Sequence, residues 1–295
     1  MDKTAFKKLY IYCNISLVLA AFISGLSFVA QKLGMQYVGP FTFNTLRCLI
    51  GTMALFPVMF FYSTNQKYSL KGGILAGIVL FIAFSINQYC MIYADAGKAG
   101  FITSLYILFV PVIAIFLKHK LASNIILSIF IAIIGLYLLC AKGIAQFEVW
   151  DIFLLISAFF FALHIIIVSH YSKKSDAIKL STLQLLTAGV LSLPLMIYEQ
   201  PTLNLILAGW KPILFIGVVV TGVAYTLQIF GHKATKAVIA TLILSSEAVF
   251  AVIGGVLILG ETLSIKEIVG CLIMLIAIVL SQIPNKGGKN EKTNN

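Results

Sequence analysis

The chain has 295 residues, a formal net charge of +11, 60% hydrophobic but only 11% charged residues, and a mean hydropathy of +1.03. Soluble domains average about 45–50% apolar and about 25% charged residues, and a soluble fold of this length has too much surface to hide the excess. A soluble protein is thereby excluded, and the basic residues, scattered in short segments between apolar runs, form no patch for nucleic acid.

A helix needs about 20 apolar residues to cross a hydrocarbon core of about 30 Å. On that criterion the chain predicts ten spans: 10–30, 42–62, 72–93, 99–117, 122–141, 151–171, 181–198, 211–231, 237–258 and 264–283. The expected fold class is an all-α integral membrane protein, since the alternating strips of a transmembrane barrel are absent. Lys3, Lys7 and Lys8 ahead of the first run superficially resemble a signal peptide. No small-x-small cleavage site ends that run, which reads as a retained first span. The connections are too short for a soluble domain, and residues 284–295 read as a polar, disordered tail. Cys13, Cys48, Cys90, Cys140 and Cys271 all fall in apolar runs, with no C-x-x-C pair and no Cys/His cluster. They read as small packing residues, and neither a metal nor a cofactor is expected.

Lysine placement orients the spans. With a cytoplasmic N-terminus, ten spans return the C-terminus to the same side. The inner segments then hold 15 lysines and the outer ones 5 (Lys32, Lys98, Lys142, Lys211 and Lys266), with Arg47 inside a span. The opposite orientation would invert that bias, so both termini are expected in the cytoplasm of a cell with this protein in its plasma membrane.

An internal repeat organises the ten spans. A shift of 137 places Pro57 on Pro194, Arg47 on Gln184, Asn44 on Ser181 and Gly51 on Ala188. A shift of 140 places Gln88 on Gln228, and a shift of 142 places Ser104 on Ser246, Leu117 on Leu259 and Leu121 on Leu263. The order of the matches predicts two five-helix repeats, residues 1–145 and 146–283, followed by the tail. With an odd number of helices per repeat, the second copy enters the membrane upside down. Inverted repeats build alternating-access carriers with a site near the midplane, although duplication also builds scaffolds and channels.

Three stretches carry a family resemblance. They are "SGLSFVAQKLGMQYVGPFTFNTLRCLIG" (Ser24–Gly51), "GKAGFITSLYILFVP" (Gly97–Pro111) and "LSSEAVFAVIGGVLILGETLS" (Leu244–Ser264). Through them the chain resembles, over nearly its whole length, the EamA-type members of the drug/metabolite transporter superfamily. Two departures stand out. The family's first-helix Trp-Gly reads Ser24-Gly25, and the first-half counterpart of the terminal Leu-Gly-Glu reads Leu117-Lys118-His119. The resemblance implies a secondary carrier of small organic metabolites, often an exporter. It leaves the solute open. Small cation exporters of the superfamily use a glutamate in the first helix; spans one and six here have none.

Ionisable groups deep in a span are costly and normally face the protein interior. Three stand deep here: Arg47, His164 and Glu247. Arg47 shares a face with Asn44, Gly51 and Ala54, and that small polar face must meet other helices. It is either an anion clamp for a carboxylate or phosphate or a structural arginine bonding exposed carbonyls. Glu247 lies about ten residues, or about 15 Å, into span nine, near the midplane. A carboxyl group there suits proton coupling or solute binding, and equally a structural, serine-bonded role in a helix with Ala240, Ala251 and Gly254 on its packing face. His164 is central in span six, on a face with Ser157 and Phe161; it is a solute or proton site, or a histidine bonded within the bundle.

Span eight offers a polar stripe, Thr221, Tyr225, Gln228 and His232, spaced 4, 3 and 4. Span three adds Ser85, Asn87 and Gln88, span seven Gln184, span four Tyr106 as an aromatic wall, and span nine Ser246 beside Glu247. Such amides and hydroxyls bind polar solutes, or simply bond helices together. Gly34, Gly39-Pro40, Pro57, Pro111 and Pro194 could loosen helices at gates. His119 and His232, among lysines, read as solvated residues of the inner face.

The leading expectation is a plasma-membrane carrier exporting a small metabolite such as an amino acid. A multidrug exporter and a lipid-intermediate flippase are the alternatives within the superfamily, and a channel, scaffold or receptor outside it. An enzyme is not expected, because H-E-x-x-H, G-x-S-x-G and an intramembrane aspartate are all missing. The expected partners are a small-molecule solute and lipid, with no nucleic acid; homodimerisation is left open.

Overall fold

The structure is a computed structural model that describes residues 3–62, 69–94, 96–118, 121–140, 148–259 and 264–283. The tail from 284, Lys67, His119, Lys120, Lys142 and the Gly260-Glu261 pair of the third stretch lie outside the described residues. Among the described residues the fold is helical, without strands, and nine helices are long and apolar enough to cross a membrane. A shorter apolar helix, Ser123–Leu139, stands at the fifth predicted span.

In chain order, α1 is Lys3–Gly34, α2 Pro40–Tyr62 and α3 Leu70–Cys90. Helix α4 comes in two pieces, α4a (Ala96–Ser104) and α4b (Tyr106–Phe116). Then follow α5 (Ser123–Cys140), α6 (Val149–Tyr171) and α7 (Ala177–Glu199). Helix α8 spans Trp210–Gly231 and is π-helical over Ile216–Ala224. Helix α9 is also split, into α9a (Ala237–Leu244) and α9b (Glu247–Leu259), and α10 is Ile265–Gln282.

Both ends of the described chain lie at one end of the bundle. Tyr10 Oη and Asn14 Nδ2 on α1 donate to Gln282 Oε1 on α10, at 2.9 and 3.1 Å. Thr235, between α8 and α9, donates to Asn14 Oδ1 at 2.8 Å. This end is called the termini end below, and the opposite one the far end.

The packing is two-fold. Helix α2 packs on α7 and α5 on α10, each helix against its own repeat mate. Helix α1 packs on α8 and α9 as α6 packs on α3 and α4, and α2 packs on α8 as α7 packs on α3. The breaks obey the same relation. Helix α4 interrupts at Leu105 and α9 at Ser245-Ser246, which a shift of about 142 superposes. The prolines do not cause them: Pro57, Pro111 and Pro194 all lie inside continuous helix. At the α9 break, Ser245 and Ser246 turn their hydroxyls back to Leu242 O and Ile243 O at 2.8 and 2.6 Å, competing with the helical ladder.

Close backbone approach positions the helices around these breaks. A Cβ on Gly51 of α2 would stand 2.9 Å from Gly217 O in the π-helical part of α8. A Cβ on Gly25 of α1 would stand 2.5 Å from Glu247 O and 2.9 Å from Ala251 N on α9b. Only glycine admits either contact. The polar face expected on α2 thus does meet another helix, and Gly25 of the departing Ser24-Gly25 pair is what lets α1 reach Glu247.

Candidate functional site

A cavity of about 860 Å³, its open mouth included, runs through the bundle from Gln228 to residues at the far end. Gln31 of α1, Met91 just past α3 and Ala99 and Gly100 of α4a surround the far-end part. Arg47, Phe84, Asn87 and Thr103 line it in the far-end halves of α2, α3 and α4, and Tyr225, Tyr106, His164 and Glu247 meet it near the two helix breaks.

The breaks converge here. Tyr106 opens α4b and Glu247 opens α9b, and Tyr106 Oη donates to Glu247 Oε1 at 3.1 Å. A carboxylate in the first turn of a helix also faces the positive end of the helix dipole. Broken helices with their ends turned into a cavity are how membrane bundles expose backbone polarity to a solute.

Arg47, 4% exposed, stands across the cavity. Its Nε donates to Thr221 Oγ1 at 3.0 Å and Nη1 to Gln31 Oε1 at 3.5 Å, and its guanidinium lies 4.3 Å over the Phe84 ring. These partners are neutral: no carboxylate among the described residues pairs with it. Tyr225 lies within electrostatic reach of both Arg47 and Glu247. One cavity therefore presents a cation, an acid and hydroxyls between them. Below, His164 Nε2 pairs with Gln184 Oε1 at 3.0 Å.

Of the predicted residues, Arg47, Asn87, Tyr106, His164, Tyr225, Gln228 and Glu247 come together on the cavity. Thr221, Gln184, Gln88 and Ser246 do not line it. Thr221 and Gln184 hold Arg47 and His164 from behind. Gln88 is buried against Met35 Sδ, and Ser246 bonds its own helix. The single stripe expected along α8 is broken up because π-helical turns are wider than 3.6 residues and rotate Thr221 away from Gln228. His232, expected to be solvated, is fully buried.

Sequence reasoning missed Ser24 and Gln31 as wall residues, and Thr103, which accepts from Asn87 Nδ2 at 2.7 Å. Ser24, Ser27 and Gln31 follow 3- and 4-residue steps, a polar stripe as regular as the one sought on α8. Among the described residues no group of three His, Cys, Asp or Glu comes together to hold a metal.

The pattern of the EamA-like transporter family matches residues 11–141 and again 148–282. The chain belongs to that family. Its relatives include an uncharacterized transporter of Archaeoglobus fulgidus, 29% identical over 271 residues, covering 92% of this chain and 85% of the relative. Another, the uncharacterized transporter YoaV of Bacillus subtilis, is 24% identical over 90% of this chain and 95% of its own length. A crystal structure of a protein 15% identical in sequence superposes with a TM-score of 0.75 over 90% of this chain and 96% of that one, a likeness of fold. This EamA-like chain is thus a multi-pass membrane transporter of the drug/metabolite type, built from two family repeats.

Proposed function

We propose that this transporter is a secondary carrier of small zwitterionic metabolites, amino acids foremost, exporting them across the plasma membrane by alternating access. The observation that carries the reading is the pairing, in one cavity, of an arginine with no carboxylate partner among the described residues and the Tyr106-bonded Glu247. A guanidinium binds a carboxylate through a planar, two-pronged fork, and a carboxylate opposite it accepts an ammonium group. A solute with both charges satisfies both walls; a simple organic cation would meet Arg47 as a like charge. Glu247 also serves proton coupling, since a carboxyl group at a helix break can exchange its proton for the solute's ammonium. Ten crossings and cytoplasmic termini accompany this reading, supported by the lysine bias and by the shared end of α1 and α10.

Uptake into proteoliposomes of labelled amino acids, nucleosides and organic cations, with and without a pH gradient, tests it. Saturable, gradient-enhanced uptake of one or more amino acids is expected. Uptake of organic cations alone would replace it with the multidrug reading. No uptake of any class by folded protein would overturn carriage of small polar solutes.

A further inference from the structure

The cavity stops at Gln228 and His164, and the protein just beyond them differs from ordinary core. An isolated apolar cluster lies there, with Val168 of α6, Leu180 of α7 and Ile229 of α8 each at most 1% exposed, and Ala76 and Val79 of α3 against them. Polar atoms flank the cluster with no hydrogen-bond partner among the described residues. Gln184 gives its carbonyl to His164 and leaves Nε2 bare, and both ring nitrogens of His232 and the hydroxyl of Ser172 are buried and unpaired. His232 sits one helical turn past Gln228, to whose carbonyl its backbone N–H donates at 3.1 Å, and within electrostatic reach of His164 and Lys173. Buried groups of this kind cost free energy wherever they stay unpaired.

The inverted repeat gives these residues a place in the transport path. The shift that puts Arg47 on Gln184 also puts Ser27 on His164 and Gln31 on Val168. Ser27, Gln31 and Arg47 all line the open, far-end half of the cavity. An inverted pair of repeats exchanges the surroundings of its two halves when access alternates. What lines the open half in one repeat must line the other half in the second.

We propose that Val168, Leu180 and Ile229 form the closed gate on the termini side, and that Gln184 and His232 make up a second binding station, which receives the solute's carboxylate when that gate opens. This rests on the reading of the chain as an alternating-access carrier of zwitterions. Gln184 Nε2 offers the donor that Arg47 offers in the far-end half, without its fixed charge, and the His232 ring offers another. A neutral station holds the carboxylate more weakly than Arg47 does, so a solute loaded from the termini side is passed toward the stronger site.

Two measurements test it, both on the full-length protein in vesicles of each orientation. Val168→Cys, with Leu180→Cys as a second variant should the first not fold, is exposed to a membrane-impermeant maleimide, and modification is read by mass on the peptide carrying the new cysteine. Modification from the termini side alone is expected, several-fold faster with leucine, threonine and phenylalanine present. No modification from that side, or modification from the far side, in protein that still performs counterflow overturns the gate and leaves the proposed function standing. Modification as expected, with none of the three amino acids transported, sinks the proposed zwitterion function and the carboxylate station while the gate survives. In the second measurement, His232→Leu should raise the half-saturation for leucine offered at the termini side roughly tenfold, the value of one hydrogen bond to a charged group. It should leave the far-side value unchanged, and His232→Asn, which keeps an N–H, should restore most of the loss. An equal rise on both sides, or none, removes His232 from the path.

Discussion

Arg47 sits in the cavity wall with a threonine, a glutamine and an aromatic face around it and no carboxylate among the described residues. Charged hydrogen bonds contribute about 1.5–3 kcal/mol, so Arg47→Met should raise the Km for an amino acid roughly 10–100-fold, and Arg47→Lys, which keeps charge but loses the fork, less. A Km unmoved by Arg47→Met would make it a packing residue that ties α2 to Thr221. Glu247 is separable by a different readout. Glu247→Gln should preserve exchange of solute for solute yet abolish the acceleration by a pH gradient, and gradient-driven uptake unchanged by the substitution would end its coupling role. Tyr106→Phe, which removes the Tyr106 Oη hydrogen bond to Glu247, should shift the pH profile of transport without emptying the cavity.

Helices are held at fixed distance in this bundle by residues that admit no larger side chain. Gly25→Val and Gly51→Val add a Cβ that would stand only 2.5 Å from Glu247 O and 2.9 Å from Gly217 O, and overpacking of this sort costs about 1–3 kcal/mol. A lower midpoint of thermal unfolding in detergent is the expected result, and an unchanged midpoint for both would show that the α1–α9 and α2–α8 approaches are loose. Glu199, the last residue of α7, caps α2 from the other repeat. Its carboxylate accepts from Phe41 N at 3.0 Å and from Thr42 N and Oγ1 at 2.7 and 2.6 Å. Glu199→Ala strips that cap, worth about 0.5–2 kcal/mol, and should raise amide exchange at the start of α2 ahead of the rest of the helix. These devices explain part of what was legible in advance. Asn44, Arg47, Gly51 and Ala54 announced a face that had to be covered, because small and polar residues at helical spacing have no business facing lipid. The breaks in α4 and α9 were not legible. A helix interruption without proline depends on local back-bonding, as at Ser245 and Ser246, and on what the neighbouring helix offers; in the sequence Ser104 and Ser246 read as a repeat match and Ser246 as a cavity candidate beside Glu247.

The whole molecule is a pair of repeats around one cavity, which reaches Gln31, Met91, Ala99 and Gly100 at the far end and, toward the termini end, stops short of the buried cluster of Val168, Leu180 and Ile229. Reporter fusions at the C-terminus should be active only as cytoplasmic fusions, and an epitope placed in the 200–209 connection should be reached only from outside. The reverse pattern would invert the orientation and turn the open half of the cavity to the cytoplasm.

Composition alone settled that lipid surrounds this chain, since 60% hydrophobic residues leave no soluble alternative, and apolar run length located the helix ends closely except the start of α1, which lies at Lys3 rather than at residue 10. Repeat order located the symmetry, because a duplicated sequence keeps its punctuation even where apolar side chains have drifted. The ionisable residues Arg47, His164 and Glu247 could be singled out for the cost of placing them in hydrocarbon. Which polar residues share the cavity was decided only by tertiary structure. Periodicity fixes a face only where the helix stays α-helical; π-helical turns moved Thr221 off the expected stripe, and close packing buried Gln88 and His232. Ser24, Ser27 and Gln31 became wall residues only because glycine at position 25 let α1 approach Glu247. A face becomes a site through what stands across from it, and that is a property of packing between distant segments which no single segment carries.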